Sequence, residues 1–404
     1  MTHPHFAARP ARPGAGTNLA AGRALTRPGM RIVMVCPSYP PRELTCGVGD
    51  YTRCLAEELA RGGDDVTVVT STGYAGPRTG VVRVLPALGD GAEPRRWWDA
   101  GDVLDVQYAP DLYRGRSRIT RIPLLARFAR GGPSVVVTFH TLLDGSLGAR
   151  LAVPWLLATA AHSISANEEV SAMIRRRLPG LAKRCTEIPI GSNIATAPGA
   201  GSSRREERAR LALPADAPIL VHFGLVYPGK GLETLFEAFA VLRQSVRDAR
   251  LLIVGDTRPE ERGYRAGLES LAERAAIASA VTWAGHRPGD EVSRLLQTAD
   301  LYVVPYDDGA TIRRGSLIAG LAHGLPVVST RSSLATAYLR DGDNVALVPP
   351  RDARALAAKL AELLGAPAEA ARLGRGARAL AERFAWPVIA AETRRVFARV
   401  RERR

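Results

Sequence analysis

Ile219-Leu220-Val221-His222-Phe223-Gly224-Leu225-Val226-Tyr227-Pro228-Gly229-Lys230-Gly231 is a short apolar run, a glycine loop and, from Leu232 onward, an amphipathic helical pattern. A strand that passes through a glycine loop into a helix opens a βαβ unit, the unit from which parallel sheets are built. The loop nearly spells the phosphate loop of nucleotide hydrolases, with Gly224, four residues, Gly229 and Lys230 in place. Gly231 stands where that loop needs Ser or Thr for magnesium. The physical core survives the missing hydroxyl, because a lysine beside a helix N-terminus suits a diphosphate. Lys230 is one of three lysines in the chain, with Lys183 and Lys359. A solvated lysine at a helix start is the plainer reading of it.

On both sides of this segment, β-branched runs alternate with amphipathic stretches, the pattern of parallel sheets covered on both faces. Downstream, strands are predicted near Leu251–Val254, Val281–Trp283, Leu301–Val304, Val327–Ser329 and Ala346–Val348, after which Asp352–Arg404 reads as consecutive helices. Upstream they are predicted near Arg31–Cys36, Asp65–Thr70, Val81–Val84, Val103–Gln107, Ser134–Phe139, His162–Ala166 and Thr186–Ile190. Asn193–Arg210, rich in Ala, Gly, Ser, Pro and Arg with little apolar periodicity, reads as the linker between the two series. The chain is therefore expected to be α/β, with two doubly wound parallel-sheet domains. Such sheets bind ligands at the carboxyl ends of their strands, so the site is expected in a cleft where the two sets of ends face each other.

The composition fits this reading. With 404 residues, 46% hydrophobic and 24% charged, the chain excludes a disordered protein, a collagen and a disulfide scaffold. Its 55 Lys+Arg against 40 Asp+Glu give a net charge of +15, a field that attracts phosphates, nucleotides, nucleic acid or an anionic membrane without choosing among them. Almost all of that charge is Arg in an Ala-, Gly- and Pro-rich chain, so part of it reflects coding bias. Cys36, Cys46, Cys54 and Cys185 show neither a C-x-x-C pair nor metal-ligand spacing, which fits a reducing cytoplasm. No apolar run approaches the roughly 18 residues that span a bilayer. Residues 1–29 carry Arg9, Arg12, Arg23 and Arg27 without the apolar block of a secretion signal and read as a disordered basic tail, with Met30 as an alternative start.

Three further constellations follow strands. Cys46-Gly47-Val48-Gly49-Asp50-Tyr51-Thr52-Arg53 opens a helix, where Gly47 and Gly49 would let backbone amides approach a ligand; a plain turn with Asp50 as the cap is the alternative. Pro305-Tyr306-Asp307-Asp308-Gly309-Ala310-Thr311-Ile312-Arg313-Arg314-Gly315-Ser316-Leu317 gathers Arg313, Arg314, Gly315 and Ser316 at a helix start as an anion site, or as a solvated first turn. A turn before glycine accounts for Asp307 and Asp308 more simply than a metal. His140, at the exit of the run Val135–Val137, would face the cleft and bond a sugar hydroxyl or handle a proton, or else be a satisfied structural histidine. Gly14-Ala15-Gly16 follows no strand and is set aside, and the basic run Met173–Leu178 with Lys183 and Arg184 reads as a solvated helix face or an anionic-membrane contact.

Together these residues resemble the family 4 retaining glycosyltransferases of the two-Rossmann-domain GT-B type. The likeness covers about residues 31 to 390 in order. It runs through Val35-Cys36-Pro37-Ser38-Tyr39-Pro40-Pro41 with Gly47–Thr52, Phe223–Gly231, Ala299-Asp300-Leu301-Tyr302-Val303-Val304-Pro305, Ala322-His323-Gly324-Leu325-Pro326, and Asp341-Gly342-Asp343-Asn344 before Leu347-Val348-Pro349-Pro350. It implies sugar transfer from a nucleoside-diphosphate sugar with retention at the anomeric carbon and no obligatory metal or other cofactor. Gly47, Gly49, Gly224, Lys230, Arg313, Arg314, Gly315 and Ser316 would hold the donor, and His140 would sit beside the transferred sugar as the catalytic residue. The departing phosphate would take the acceptor proton.

The resemblance divides the chain into an acceptor-side lobe at 30–195, a linker at 196–213, a nucleotide-sugar lobe at 214–385 and a C-terminal helix at 386–404 that packs back on the first lobe. The protein is expected in the cytoplasm, with the inner membrane face as an alternative location, and without a nucleic-acid partner. The acceptor, a glycan, a lipid-linked saccharide or a small molecule, would be chosen by loops such as Asp90–Trp98 and Leu142–Leu151. This chain departs from the family at known positions: Thr311 and Ala319 stand where most members carry two glutamates, and Leu225 stands for an arginine. Arg313 and Arg314 are expected to restore the lost contacts. A noncatalytic nucleotide-sugar-binding protein is the alternative, and a phosphate-loop hydrolase comes third.

Overall fold

The computed structural model describes residues 29–41, 46–89, 98, 101–113, 117–142, 147–196, 204–210, 213–334 and 336–403, so the basic tail at 1–28 lies outside the described residues. One sheet contains β1 (Arg31–Val35), β2 (Asp65–Ser71), β3 (Arg83–Leu88), β4 (Val103–Tyr108), β5 (Ser134–Phe139), β6 (His162–Ser165) and β7 (Cys185–Glu187) in the order β3-β2-β1-β4-β5-β6-β7. The other contains β8 (Ile219–Phe223), β9 (Arg250–Val254), β10 (Val281–Gly285), β11 (Leu301–Val304), β12 (Val327–Thr330) and β13 (Ala346–Val348) in the order β10-β9-β8-β11-β12-β13. Every ladder is parallel. These are the two Rossmann-like domains of a GT-B fold. Each order reverses beside its first strand, β1 between β2 and β4 and β8 between β9 and β11, and such reversals are where doubly wound sheets hold ligands.

Successive residues of a strand face opposite sides, so a sheet covered by helices on both faces needs apolar residues at every position. The sequence supplies them. In the first sheet Val33, Val35, Leu104, Val106, Val135 and Val137 enter one core, while Ile32, Met34, Val103 and Val136 enter the other. Each such side chain contributes about 1.5–3 kcal/mol on burial. β4 breaks the rule, because its Asp105 and Gln107 are fully buried within the sheet.

Two segments differ from expectation. β3 begins later than predicted and runs through Pro86, which a strand at the sheet edge tolerates because one side needs no amide donor. Within the glycine- and arginine-rich segment before β8, Arg204–Arg210 forms a helix despite its polarity. Buried Arg208 holds it to the second lobe, donating to the carbonyls of Thr298, Ala215 and Ala217 and pairing with Asp300 at 2.6 Å.

The chain finally returns to the first lobe. In the helix Trp386–Glu402, Ile389, Val396, Phe397 and Val400 pack against Met30, Ile32, Tyr51 and Leu55. Arg394 there pairs with buried Asp64 at 2.9 Å.

Candidate functional site

A cleft of about 1420 Å³ opens between the carboxyl ends of the two sheets, and both lobes line it. From the second lobe come Gly224, Lys230, Arg313, Arg314, Gly315 and Ser316; from the first come Gly47 and His140.

The loop after β8 is shaped by glycines that no other residue replaces. Gly224 has φ 144° and Gly231 φ 70°, conformations that side chains disfavour. A Cβ on Gly231 would collide with the carbonyl of Pro305. The Ser or Thr of a phosphate-loop hydrolase therefore has no room at this position, and the structure corrects the hydrolase reading. The loop folds Lys230 inward until the residue is 7% exposed, its ammonium over the rings of Tyr227 (5.1 Å) and Tyr306 (5.3 Å). A Cβ on Gly224 would lie 3.5 Å from both Lys230 Nζ and Ser316 Oγ, so loop, lysine and helix start form one cradle.

Arg313 and Arg314 precede the helix Gly315–Ala322. Arg314 stacks its guanidinium 4.0 Å from the Tyr306 ring and pairs with Asp308. Arg313 pairs with the same carboxylate at 2.7 Å and reaches across the cleft to Glu169 of the first lobe at 3.0 Å. Asp308 thus anchors two arginines. Among the described residues no group of three or more His, Cys, Asp or Glu is placed to hold a metal. Burial, helped by the charges of Arg314 and Arg313, pushes the Lys230 ammonium down to about 8. The cradle holds more positive charge than its carboxylate neutralises, which suits an anion.

The first lobe contributes a different chemistry. His140 follows β5, with Asn167 donating to its carbonyl at 2.9 Å and the Tyr51 ring edge-on at 4.7 Å. Burial pushes His140 down to about 3, so it is neutral at physiological pH. As a neutral ring it can bond hydroxyls there, donating from one nitrogen and accepting at the other, and it adds no positive charge. Gly47 begins the helix Gly47–Arg61 and lines the cleft. Gly49 does not line it; its Cα lies against the carbonyl of Ser38, where a Cβ would collide. Gly49 lets helix and loop pack closely, which corrects its assignment as a donor contact. Asp50 does not cap this helix either, and its carboxylate accepts from Asn193 at 3.3 Å. The basic run Arg175–Arg177 is exposed on a helix, and Arg175 lies 4.0 Å from Glu187.

Sequence reasoning passed over Glu169, Asn167, Tyr51, Asp105 and Gln107. The last two had a visible signal, polar residues inside a run otherwise fit for a buried strand. Thr311 and Ala319, at the expected glutamate positions, are 2% and 0% exposed. Ala319 lies in the core of the second lobe, and Thr311 Oγ1 is buried without a hydrogen-bond partner.

Residues 46–191 match the model of the glycosyl transferase 4-like domain, and residues 217–366 that of the glycosyl transferases group 1. This chain belongs to that glycosyltransferase family. Similar chains include the phosphatidyl-myo-inositol mannosyltransferase of Mycobacterium leprae, 28% identical over 92% of this glycosyltransferase and 97% of the relative. The D-inositol 3-phosphate glycosyltransferase of Thermobispora bispora is 33% identical over 48% of this chain and 46% of its own. Among solved structures, Anabaena HepE in complex with UDP and glucose superposes with a TM-score of 0.72 at 19% identity, covering 91% of this chain and 99% of that one. That likeness shows the fold.

Proposed function

We propose that this glycosyltransferase moves a hexose from a nucleoside-diphosphate sugar to a hydroxyl acceptor with retention of anomeric configuration. The observation that carries the reading is the pairing across one cleft of a cationic cradle, Lys230 with Arg313 and Arg314, and a neutral His140. Departure of a nucleoside diphosphate builds negative charge on its terminal phosphate, and fixed cations with free helix amides stabilise that charge as it forms. Lys230, Arg314 and the amides at Gly315 and Ser316, which line one side of the cleft, would stabilise that charge. His140 accepts or donates a hydrogen bond to a sugar hydroxyl and leaves the acceptor proton to the departing phosphate. The arginine pair stands in for the carboxylates absent at Thr311 and Ala319.

HepE was solved with UDP and with UDP-glucose, so UDP-hexoses are the first donors to test. The relatives named above act on phosphatidyl-myo-inositol and D-inositol 3-phosphate, so phosphorylated inositols are the first acceptors. A thermal-shift panel of nucleoside diphosphates and their sugars reads the donor, because a ligand selective for the folded chain raises its Tm. Transfer to an acceptor with the donor's anomeric configuration supports the proposal. Tight nucleotide binding without hydrolysis or transfer against every acceptor overturns it in favour of a binding protein.

A second feature supports contact with an anionic membrane. Leu125 and Phe128 of the helix Ile122–Phe128 and Leu151 and Trp155 of the adjacent helix Leu147–Thr159 are exposed, Phe128 by 79%. Arg118, Arg121, Arg127 and Arg130 stand exposed around them, and no acid occurs from Leu112 to Leu143. Apolar side chains ringed by arginine suit the interface of an anionic bilayer. No helix among the described residues is long and apolar enough to cross a membrane.

A further inference from the structure

β4 pairs with β5 in the middle of the first sheet, with Asp105 beside Val136 and Gln107 beside Thr138. Both faces of this sheet are apolar, and burial of a carboxylate and an amide there costs free energy unless each polar atom is bonded. They are bonded in a chain that ends at the cleft. Thr138 Oγ1 donates to Asp105 Oδ1 at 2.8 Å, and Gln107 Nε2 donates to Asp105 Oδ2 at 2.5 Å. Gln107 Oε1 then lies 2.8 Å from His140 Nε2.

The chain has a direction. A carboxylate that accepts from Gln107 fixes which end of the amide faces which neighbour, a choice a lone glutamine leaves open. With its amide nitrogen turned to Asp105, Gln107 offers only an acceptor to His140. The imidazole must then carry its proton on Nε2 and keep its lone pair on Nδ1.

We propose that Asp105 and Gln107 are positioning residues that set the tautomer of His140, so that its Nδ1 accepts a hydrogen bond from a hydroxyl of the bound sugar. This rests on the role given to His140 above and extends it to two residues that touch neither donor nor acceptor. Burial raises Asp105 to about 7, and the hydrogen bonds from Thr138 and Gln107 pull it back toward the ionised form that accepts from both. The neutrality of His140 fits as well, since a charged ring would donate from both nitrogens.

The test reads the tautomer apart from turnover. In the full chain labelled with ¹⁵N-histidine, the His140 ring nitrogens are assigned by their loss in His140→Ala. In the unaltered protein Nε2 is expected to be the protonated nitrogen. Asp105→Asn reverses the chain: the new amide donates to Gln107 Oε1, Gln107 Nε2 turns to His140, and the proton moves to Nδ1. Turnover should fall on the order of a hundredfold with UDP affinity unchanged. That is less than the roughly 10⁴-fold lost when a general base is held in the wrong tautomer, because His140 here holds a hydroxyl and does not take its proton.

Adding Gln107→Glu to Asp105→Asn restores an acceptor facing His140, and should bring back both the Nε2 proton and turnover. A purely structural role would not give that rescue. If Asp105→Asn does not fold, Gln107→Leu serves instead, with both tautomers expected. An unchanged Nε2 proton in Asp105→Asn or Gln107→Leu overturns the relay. A reversed tautomer with unchanged turnover keeps the relay and overturns the catalytic role of His140.

Discussion

The two lobes share a topology and differ in what they bring to the cleft. Each sheet reverses beside its first strand, and each places a helix start after that strand. The second lobe lines its side with Lys230, Arg313 and Arg314, whereas the first lobe's lining, among the described residues, has no Lys or Arg and brings His140, Asn167, Tyr51 and Gly47 beside the carboxylates Asp50 and Asp111. One backbone plan thus serves two chemistries. Charge recognition needs cations pre-placed at helix starts, and hydroxyl recognition needs neutral bonds of fixed direction. The Arg313–Glu169 pair joins the two sides, and away from it changes at Lys230 should leave His140 untouched.

The largest expected effect comes from the turn that shapes the cationic side. Gly231→Ser meets both a positive φ and the carbonyl of Pro305, and should cost about 3 kcal/mol or more, seen as a fall in the denaturant midpoint at unchanged m. A tolerated Gly231→Ser would show that the loop is softer than its glycines imply.

Next is Lys230→Met. Losing a charge-assisted contact of about 1.5–3 kcal/mol should weaken UDP roughly tenfold to 150-fold, while the Tm of the free protein holds or rises because a desolvated cation is gone. Calorimetry and a melt on the same sample separate the two. Arg313→Ala should follow with a smaller loss of nucleotide affinity and an altered spacing between lobes, since it also removes the bridge to Glu169. Unchanged UDP affinity in both Arg313→Ala and Arg314→Ala would break the idea that this pair replaces the missing glutamates.

The smallest effect is one of pH. The folded Lys230 titrates near 8, below its ordinary 10.5, so the folded protein binds fewer protons than the unfolded chain between those values. Stability from this group therefore rises as pH climbs through that window, and below about 8 the buried charge is destabilising. A bound diphosphate restores the charge. UDP affinity should accordingly fall above about pH 8, with proton uptake on binding visible as a dependence of calorimetric heat on the buffer. His140 should add nothing to that profile, because it titrates near 3.

The same contrast explains what the sequence disclosed. All thirteen strands were legible because doubly covered parallel strands are written as β-branched runs; β3 ran past its predicted end since Pro86 looks like a stop and sits at an edge. The cationic half of the site was legible for a related reason: Lys230 and Arg313 follow strands and precede helices, a local pattern. Of the neutral half, His140 and Gly47 were legible and the rest was not. Val103-Leu104-Asp105-Val106-Gln107-Tyr108 alternates like a half-exposed strand, and only the ladders on both sides of β4 show that Asp105 and Gln107 are buried. The pairing of Glu169 with Arg313 joins residues far apart in sequence, and no spacing rule connects them.

The returning helix Trp386–Glu402 has a practical consequence. Trp386 rests edge-on against Tyr51 at 5.5 Å, and Tyr51 in turn rests against His140. The indole also donates to Ser192 at 2.7 Å, where the chain leaves the first lobe. Cutting the polypeptide at its apparent midpoint would therefore give an amino-terminal half stripped of one of its own walls. Any attempt to prepare the lobes separately must supply that last helix in trans.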